Sequence, residues 1–305
     1  MEKFELTILG CNSAMPAHGR FPTSQILDVS GELLLIDCGE GTQIRMAQYK
    51  IKRNQIRYVL ISHLHGDHIY GLPGFIGSLS HLSRSSLLRI YGPKGIKEYI
   101  ETCLRLSQSH ISYAIEITEI EPDEVVPLFK TSKFSVSAFP VNHRIPTIGY
   151  LIKESPRPIN IRKDSITQYN MTVPEIKAIK AGEDLIRDGK TIPNINLTHP
   201  RKSSRSYGYC ADTKVDGWSK KHLGGVDVLY FETTYLDELR DQAHQRGHST
   251  AYEAGLLAKD LQVGKLVIGH YSSRYRSIDA LVNEAKSVFS EVVGGYDGMI
   301  LNIEH

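Results

Sequence analysis

Ser62-His63-Leu64-His65-Gly66-Asp67-His68 is the stretch from which this chain is read. Its six residues from His63 to His68 carry three imidazoles and one carboxylate. The apolar run Arg57-Tyr58-Val59-Leu60-Ile61 before it has the composition of a buried strand, and Gly71-Leu72-Pro73-Gly74 after it marks a turn. A strand ending in a tight turn aims His63 and His65 to one side by the two-residue period, while Asp67 and His68 wrap back. That is the placement two neighbouring metal ions need. Imidazole nitrogens and carboxylate oxygens suit Zn²⁺ and, less tightly, Mn²⁺ or Fe²⁺. A histidine tag would sit at a terminus and lack the aspartate.

Two ions need more donors than one turn supplies, and the sequence offers them at the ends of other apolar runs. His143 follows Phe134–Val141, Asp212 follows Ser206–Ala211, and His270 follows Lys265–Gly269. The C-terminal tips of strands are where site residues collect in layered α/β proteins. Each of the three taken alone is more often an ordinary loop residue; together with the histidine-rich turn they complete a dinuclear set. Asp212 can bridge, because a carboxylate has two oxygens. His248, in Arg246-Gly247-His248-Ser249-Thr250, is either a neighbour of a helix cap or a proton donor. Glu232, at the end of Val228–Phe231, can orient it and raise its pKa.

The 305 residues suffice for one large domain or two modest ones, and 41% hydrophobic with 23% charged content is ordinary for a globular protein. Met1-Glu2-Lys3-Phe4-Glu5 is charged where a signal peptide needs an apolar segment, and no run reaches membrane-spanning length. Cys11, Cys38, Cys103 and Cys210 form no C-x-x-C pair. A reduced, cytoplasmic protein is expected, with no membrane partner.

Strands are predicted at Phe4–Leu9, Ser24–Val29, Leu33–Asp37, Arg57–Ser62, Leu87–Tyr91, Phe134–Val141, Thr147–Ile152, Ser206–Ala211, Val228–Phe231, Lys265–Gly269 and Met299–Ile303. Helical patterns interleave at Gly41–Tyr49, Pro73–Leu82, Pro93–Ser107, Thr250–Leu261 and Ser277–Phe289. The order predicts an α/β fold of two sheets packed face to face with helices outside, a four-layer αββα sandwich of two similar halves. Glu154 to Arg205 differs, with five prolines and many charges, and reads as an insertion projecting from the sandwich. Between Arg157 and Arg205, ten Lys or Arg face five Asp or Glu, a local excess of +5 in a chain of net charge +2. That is a footprint for a polyanion, or equally a solvated loop.

These residues resemble the metallo-β-lactamase superfamily and, more narrowly, the ribonuclease Z family of tRNA 3′-processing endonucleases. The resemblance covers nearly the whole chain. Its carriers are Leu9-Gly10, Ile36-Asp37-Cys38-Gly39-Glu40-Gly41-Thr42-Gln43, the histidine-rich turn with Gly71-Leu72-Pro73-Gly74, Tyr209-Cys210-Ala211-Asp212-Thr213, Phe231-Glu232-Thr233-Thr234, His248-Ser249-Thr250 and His270-Tyr271-Ser272-Ser273-Arg274-Tyr275. The resemblance implies one domain spanning 1–305, with a tRNA-binding arm inserted at about 154–205. It implies two Zn²⁺ ions per subunit: His63, His65 and His143 on one, Asp67, His68 and His270 on the other, and Asp212 between. It makes Glu232 and His248 a proton-donating pair and the working unit a homodimer in which one subunit grips precursor tRNA for the other. Three segments depart from the family pattern. The arm shows Ser155-Pro156-Arg157-Pro158 but little glycine, the Gly-Asp-Thr signature reads Ala211-Asp212-Thr213, and in Arg53–Tyr58 only Arg57 matches the segment implicated in sensing the tRNA 3′ end.

The expected chemistry is attack on the phosphodiester by a hydroxide shared between two zinc ions. Asp67 would orient it, and His248 would protonate the leaving 3′-oxygen. The products would be a tRNA with a 3′-OH and a trailer with a 5′-phosphate. Ser273 and Arg274, beside His270, are candidates to hold a phosphate; for Arg274 a structural ion pair is an equal alternative. Two rivals are a phosphodiesterase acting on small esters and a catalytically silent RNA-binding scaffold. A basic arm is superfluous for the first, and the complete ligand set for the second.

Overall fold

The computed structural model describes residues 3–156, 159–200, 203–215 and 222–304. Arg157 and Pro158 of the arm motif, Arg201 and Lys202 of the basic segment, and His305 lie outside the described residues. Contacts divide the chain into two compact units, Met1–Lys153 with Arg205–His305, and Glu154–Ser204.

The larger unit holds two seven-stranded sheets. The first contains β1 (Phe4–Gly10), β2 (Ser24–Val29), β3 (Glu32–Cys38), β4 (Ile56–Leu60), β5 (Leu88–Pro93), β6 (Ile115–Ile120) and the last strand, β16 (Ile300–Asn302), in the order β16-β1-β2-β3-β4-β5-β6. The second runs β15-β14-β13-β12-β9-β8-β7. Its strands are β7 (Val126–Lys130), β8 (Phe134–Val141), β9 (Thr147–Glu154), β12 (Ser206–Cys210), β13 (Val228–Glu232), β14 (Lys265–Gly269) and β15 (Val292–Gly294). The strands that lead into the histidine and aspartate clusters, β3 to β4 and β12 to β14, pair in parallel with a neighbour, which places their C-terminal ends on one edge of each sheet.

Period-two side-chain alternation builds the layers. In β3, Leu34 and Ile36 face the second sheet and join a core with Phe134, Val136, Ile152, Tyr207 and Tyr209. Leu33 and Leu35 face the other way, onto Met46, Phe75, Leu79, Ile96 and Ile100 of the outer helices. In β4, Tyr58 and Leu60 join the first set and Val59 and Ile61 the second. Ala251, Leu257, Leu281 and Ala285 cover the outer face of the second sheet. This is the four-layer αββα sandwich that the sequence predicts. Polar bonds cross between the sheets: the Tyr150 hydroxyl donates to the Ile61 carbonyl (2.6 Å), and the Ile148 amide donates to that of Ser62 (2.9 Å).

Two local expectations change. The predicted tight turn after Ser62 is a short loop followed by a one-turn helix, Gly66–Ile69, which carries Asp67 and His68. Residues 154–204, read from sequence as loop-like, form helices Lys163–Gln168, Val173–Ala181 and Asn194–Leu197 and a hairpin of β10 (Leu185–Arg187) with β11 (Lys190–Ile192). Ile161, Met171, Ile179, Leu185 and Leu197 give this unit its own small core. Two of the prolines lie at helix starts: Pro174 opens Val173–Ala181, where Thr172 and Glu175 form a reciprocal capping box, and Pro193 is the N-cap of Asn194–Leu197. No helix among the described residues is long and apolar enough to cross a membrane.

Candidate metal centre and active site

Seven side chains from both sheets converge where the strands end. His63 and His65 follow β4, Asp67 and His68 sit on the one-turn helix, and His143, Asp212 and His270 follow β8, β12 and β14. Asp212 and His270 have left-handed backbone, with φ of +48° and +59°. Asp and His tolerate that region better than most residues, and it turns the chain sharply enough to point each side chain back over the strand tips.

Two donor groups meet at Asp212, and a third, Asp212 with His248 and His270, overlaps them. His63 Nε2, His65 Nδ1, His143 Nε2 and Asp212 Oδ2 make the first: His63 Nε2 lies 2.9 Å from His65 Nδ1 and 3.3 Å from Asp212 Oδ2, and His143 Nε2 lies 3.6 Å from Asp212 Oδ2. Asp67, His68 and His270 make the second, with Asp212 Oδ1 2.8 Å from His270 Nε2 and 3.4 Å from His68 Nε2. Asp212 Oδ1 is buried and forms no aligned hydrogen bond despite these short approaches. A buried carboxylate oxygen crowded by imidazole nitrogens without N–H alignment is placed as a ligand is around a shared cation. The donor set therefore fits divalent metal.

A further shell of bonds holds the ligand rings. His68 Nδ1 lies 2.7 Å from Asp37 Oδ2, leaving Nε2 toward Asp212. Asp37 also accepts from the Ser62 amide (2.7 Å) at Oδ1, and from the Ser62 hydroxyl (2.8 Å) and the Tyr209 hydroxyl (2.5 Å) at Oδ2. With its proton on Asp37, Ser62 Oγ can accept from His63 Nδ1, 3.0 Å away. His143 Nδ1 donates to the Gly247 carbonyl (2.8 Å). His270 Nδ1 donates to Thr234 Oγ1 (3.0 Å), whose own proton goes to Glu232 Oε2 (2.6 Å). Each of these four imidazoles is thereby set in the tautomer that turns Nε2 toward the donor groups. Asp37, Ser62, Thr234 and Tyr209 have no assigned role in the sequence reading, although all four lie within or beside the quoted motifs.

The electrostatics divide the same way. Burial lowers His63 to about 4 and also lowers His65 and His143, so these are neutral donors at neutral pH. Burial acts in the same direction on His270, but Asp212 and Asp67 outweigh it and hold that imidazole up at about 10. His68 is likewise raised against its burial by Asp37, Asp67 and Asp212. Burial would raise Asp67 and Asp212, and the neighbouring histidines hold both below the usual carboxylate range. The carboxylates thus draw positive charge into a buried pocket, a task that divalent cations also fulfil.

Above these atoms lies a cleft of about 640 Å³ lined by Asp67, Asp212, His248, His270, Ser273 and Arg274, among others. His248 Nδ1 donates to Glu232 Oε1 (2.9 Å), which leaves Nε2 for the cleft. Glu232 is fully buried and also accepts from the Thr213 amide (2.7 Å). Burial lowers His248, but the Glu232 carboxylate outweighs it and raises the imidazole above its ordinary value. Arg274 stacks over the Tyr235 ring (4.8 Å) and donates to Gln242 Oε1 (3.2 Å), and among the described residues it makes no ion pair of the kind weighed from sequence. Arg144 and Arg246 also line the cleft. The Ser273 carbonyl accepts from His18 Nε2 (2.8 Å). Arg57 is exposed near the start of β4, at the strand end away from the histidine turn, and does not line the cleft.

A four-layer sandwich with histidines and aspartates gathered at its strand ends makes this a metallo-β-lactamase-fold protein. A metallo-β-lactamase-fold protein of Bacillus subtilis, YhfI, matches with a TM-score of 0.69 at 20% identity, over 98% of this chain and 99% of that one. Human tRNase Z, short form, matches with a TM-score of 0.72 at 26% identity, over 99% of this chain and all of the human one. Ribonuclease Z of Bacteroides thetaiotaomicron is 37% identical over all of this chain and 97% of its own length, and that of Parabacteroides distasonis 38% over 99% and 100%. The chain belongs to the ribonuclease Z family and is a hydrolytic endonuclease of that type. Its residues 4–172 also match the family described as Anti-Pycsar protein Apyc1, a stretch that contains the histidine-rich turn and His143 but ends before Asp212, His248 and His270.

Proposed function

We propose that this enzyme removes the 3′ trailer from precursor tRNA with two divalent ions, zinc in the first instance and Mn²⁺ or Fe²⁺ as substitutes. His63, His65 and His143 would hold one ion, Asp67, His68 and His270 the other, with Asp212 shared. When bound, such ions supply a water acidic enough to attack at neutral pH and offset charge on the phosphate oxygens. The observation that carries the proposal is the His248–Glu232 pair, a raised imidazole with a free Nε2 beside the donor cluster in one cleft.

The chain's own residues do the remaining work. His248 protonates the departing 3′-oxygen, and Glu232 keeps its Nδ1 proton in place. Asp67, whose Oδ2 accepts from the Ala14 amide (2.7 Å), accepts a hydrogen bond from the attacking water and orients it. Arg144, Arg246 and Arg274 offer positive charge to phosphates on either side of the cut. The products are a tRNA ending in 3′-OH and a trailer beginning with 5′-phosphate. The segment at about 154–205, with its local excess of +5 between Arg157 and Arg205, grips tRNA without reading sequence. The resemblance supports a homodimer in which one subunit presents this arm to tRNA cut by the other, acting in the cytoplasm.

The test is to incubate the zinc-loaded protein with a 3′-extended precursor tRNA and map the cut to the nucleotide. One cut beside the discriminator base, abolished by His65→Ala, supports the proposal. No cut, with good hydrolysis of a small phosphodiester, moves the protein to the phosphodiesterase reading.

A further inference from the structure

Tyr70 immediately follows the one-turn helix Gly66–Ile69, between the buried residues Ile69 and Leu72. Its own side chain is 68% exposed, and it lines the same cleft as Asp67, His248 and Arg274. The ring is nonetheless seated. Gly66 and Tyr70 are four residues apart on one helical turn, and the hydroxyl end of the ring lies against the glycine. A Cβ at Gly66 would come within 2.1 Å of Tyr70 Cε2 and 2.2 Å of Cζ. The missing side chain is what lets the ring rest on backbone. Among the described residues the Tyr70 hydroxyl makes no hydrogen bond, so the fold gains little from this aromatic. It is a seated ring with an open side, at the mouth of a cleft that has arginines on its rim.

We infer that Tyr70 is a stacking platform for the nucleobase immediately 3′ to the cut, the first base of the trailer. This rests on the reading of the cleft as a nuclease site. His248 delivers its proton to the oxygen of the upstream nucleoside, which places that nucleoside on the side of β13 and the loop before helix Ala251–Asp260. Tyr70 rises from the other side, after β4, which leaves that lip of the cleft to the nucleoside across the phosphate, the downstream one. Stacking on an aromatic face tolerates every base, which suits an enzyme whose trailers differ in sequence.

The experiment places 2-aminopurine at the first trailer position of a precursor tRNA and titrates it with chelator-treated enzyme. Fluorescence quenching on binding should be lost in Tyr70→Ala and kept in Tyr70→Phe and Tyr70→Trp. On the normal precursor with zinc-loaded enzyme, Tyr70→Ala should lower kcat/KM between about five-fold and a hundred-fold. That loss should disappear when the first trailer nucleotide is abasic, because the substrate then has no base to stack. Unchanged quenching in Tyr70→Ala overturns the inference. So does an equal loss on the abasic precursor, a coupling found only at the discriminator base, or a Tyr70→Phe variant as impaired as Tyr70→Ala. Wild-type enzyme that neither binds nor cuts the precursor refutes the nuclease reading itself and is recognised separately by anisotropy of the labelled tRNA.

Discussion

Replacing Asp37 with asparagine tests whether a residue that touches no metal sets the strength of the second ion site. Asp37 is fully buried and takes four donors: the Ser62 amide at Oδ1, and the Ser62 hydroxyl, the Tyr209 hydroxyl and His68 Nδ1 at Oδ2. Asparagine keeps the oxygen for the Ser62 amide and turns its NH₂ toward the other three. Hydroxyls can rotate to accept, but an imidazole must change tautomer, which moves the proton to Nε2 and removes His68 as a ligand. Loss of such an outer partner typically costs 10–100-fold in metal affinity, about 1.4–2.7 kcal/mol. Hydrogen bonds to a charged group contribute roughly 1.5–3 kcal/mol each, so the fold should lose about 3 kcal/mol as well. Titration of the apo-protein with zinc against a chromogenic chelator reads the two sites separately, and circular dichroism reports folding. The site that holds His68 should move by the stated factor while the His63, His65 and His143 site moves less. Two affinities within two-fold of wild type, in a folded variant, would refute the reasoning.

Three other outcomes follow from the same geometry. His248→Ala should cut turnover by about 100- to 10,000-fold with zinc content unchanged by elemental analysis, and a variant at full speed removes His248 from the mechanism. In chelator-treated protein burial is outweighed by Asp212 and Asp67, which hold His270 at about 10, so at neutral pH a proton must leave before an ion can enter. Zinc affinity should therefore rise by at least about tenfold per pH unit between about pH 7 and 9, and an affinity flat over that range counts against the assignment of His270. Gly255→Ala would bring a Cβ within 2.5 Å of Val288 Cγ2 and 2.6 Å of the Ala285 carbonyl, where two outer helices touch. A loss of about 1–3 kcal/mol in chemical denaturation is expected, and no loss would mean that the helices separate easily.

Strands with a high apolar content were legible from the chain; β2, β8 and β14 fall on the residues predicted. The strands missed have visible reasons. Pro127 lies inside β7, β15 has only three residues, and the alternating β6 is half-exposed and charged, so apolar content did not mark it. In residues 154–204, proline density masked three helices, two of which begin at Pro174 and Pro193. Arg57, drawn in by family pattern, sits at the wrong end of its strand to line the cleft.

What the linear chain set was the chemistry: six consecutive residues already contain four potential ligands, because neighbours in sequence are neighbours in space. It also set the layers, since period-two alternation dictates which side chains of β3 and β4 face which core. The packing of one sheet on the other decided the rest. His143, Asp212 and His270 are separated from the turn by 75 or more residues and reach it only because β8, β12 and β14 end beside β4. A lone aspartate in a strand carries no mark of what it will hold; pairing of β3 with β4 brought Ser62 and His68 to Asp37, and closing of the second sheet brought Tyr209. The same is true of Tyr70, whose ring has a place to rest because the residue one helical turn before it has no side chain.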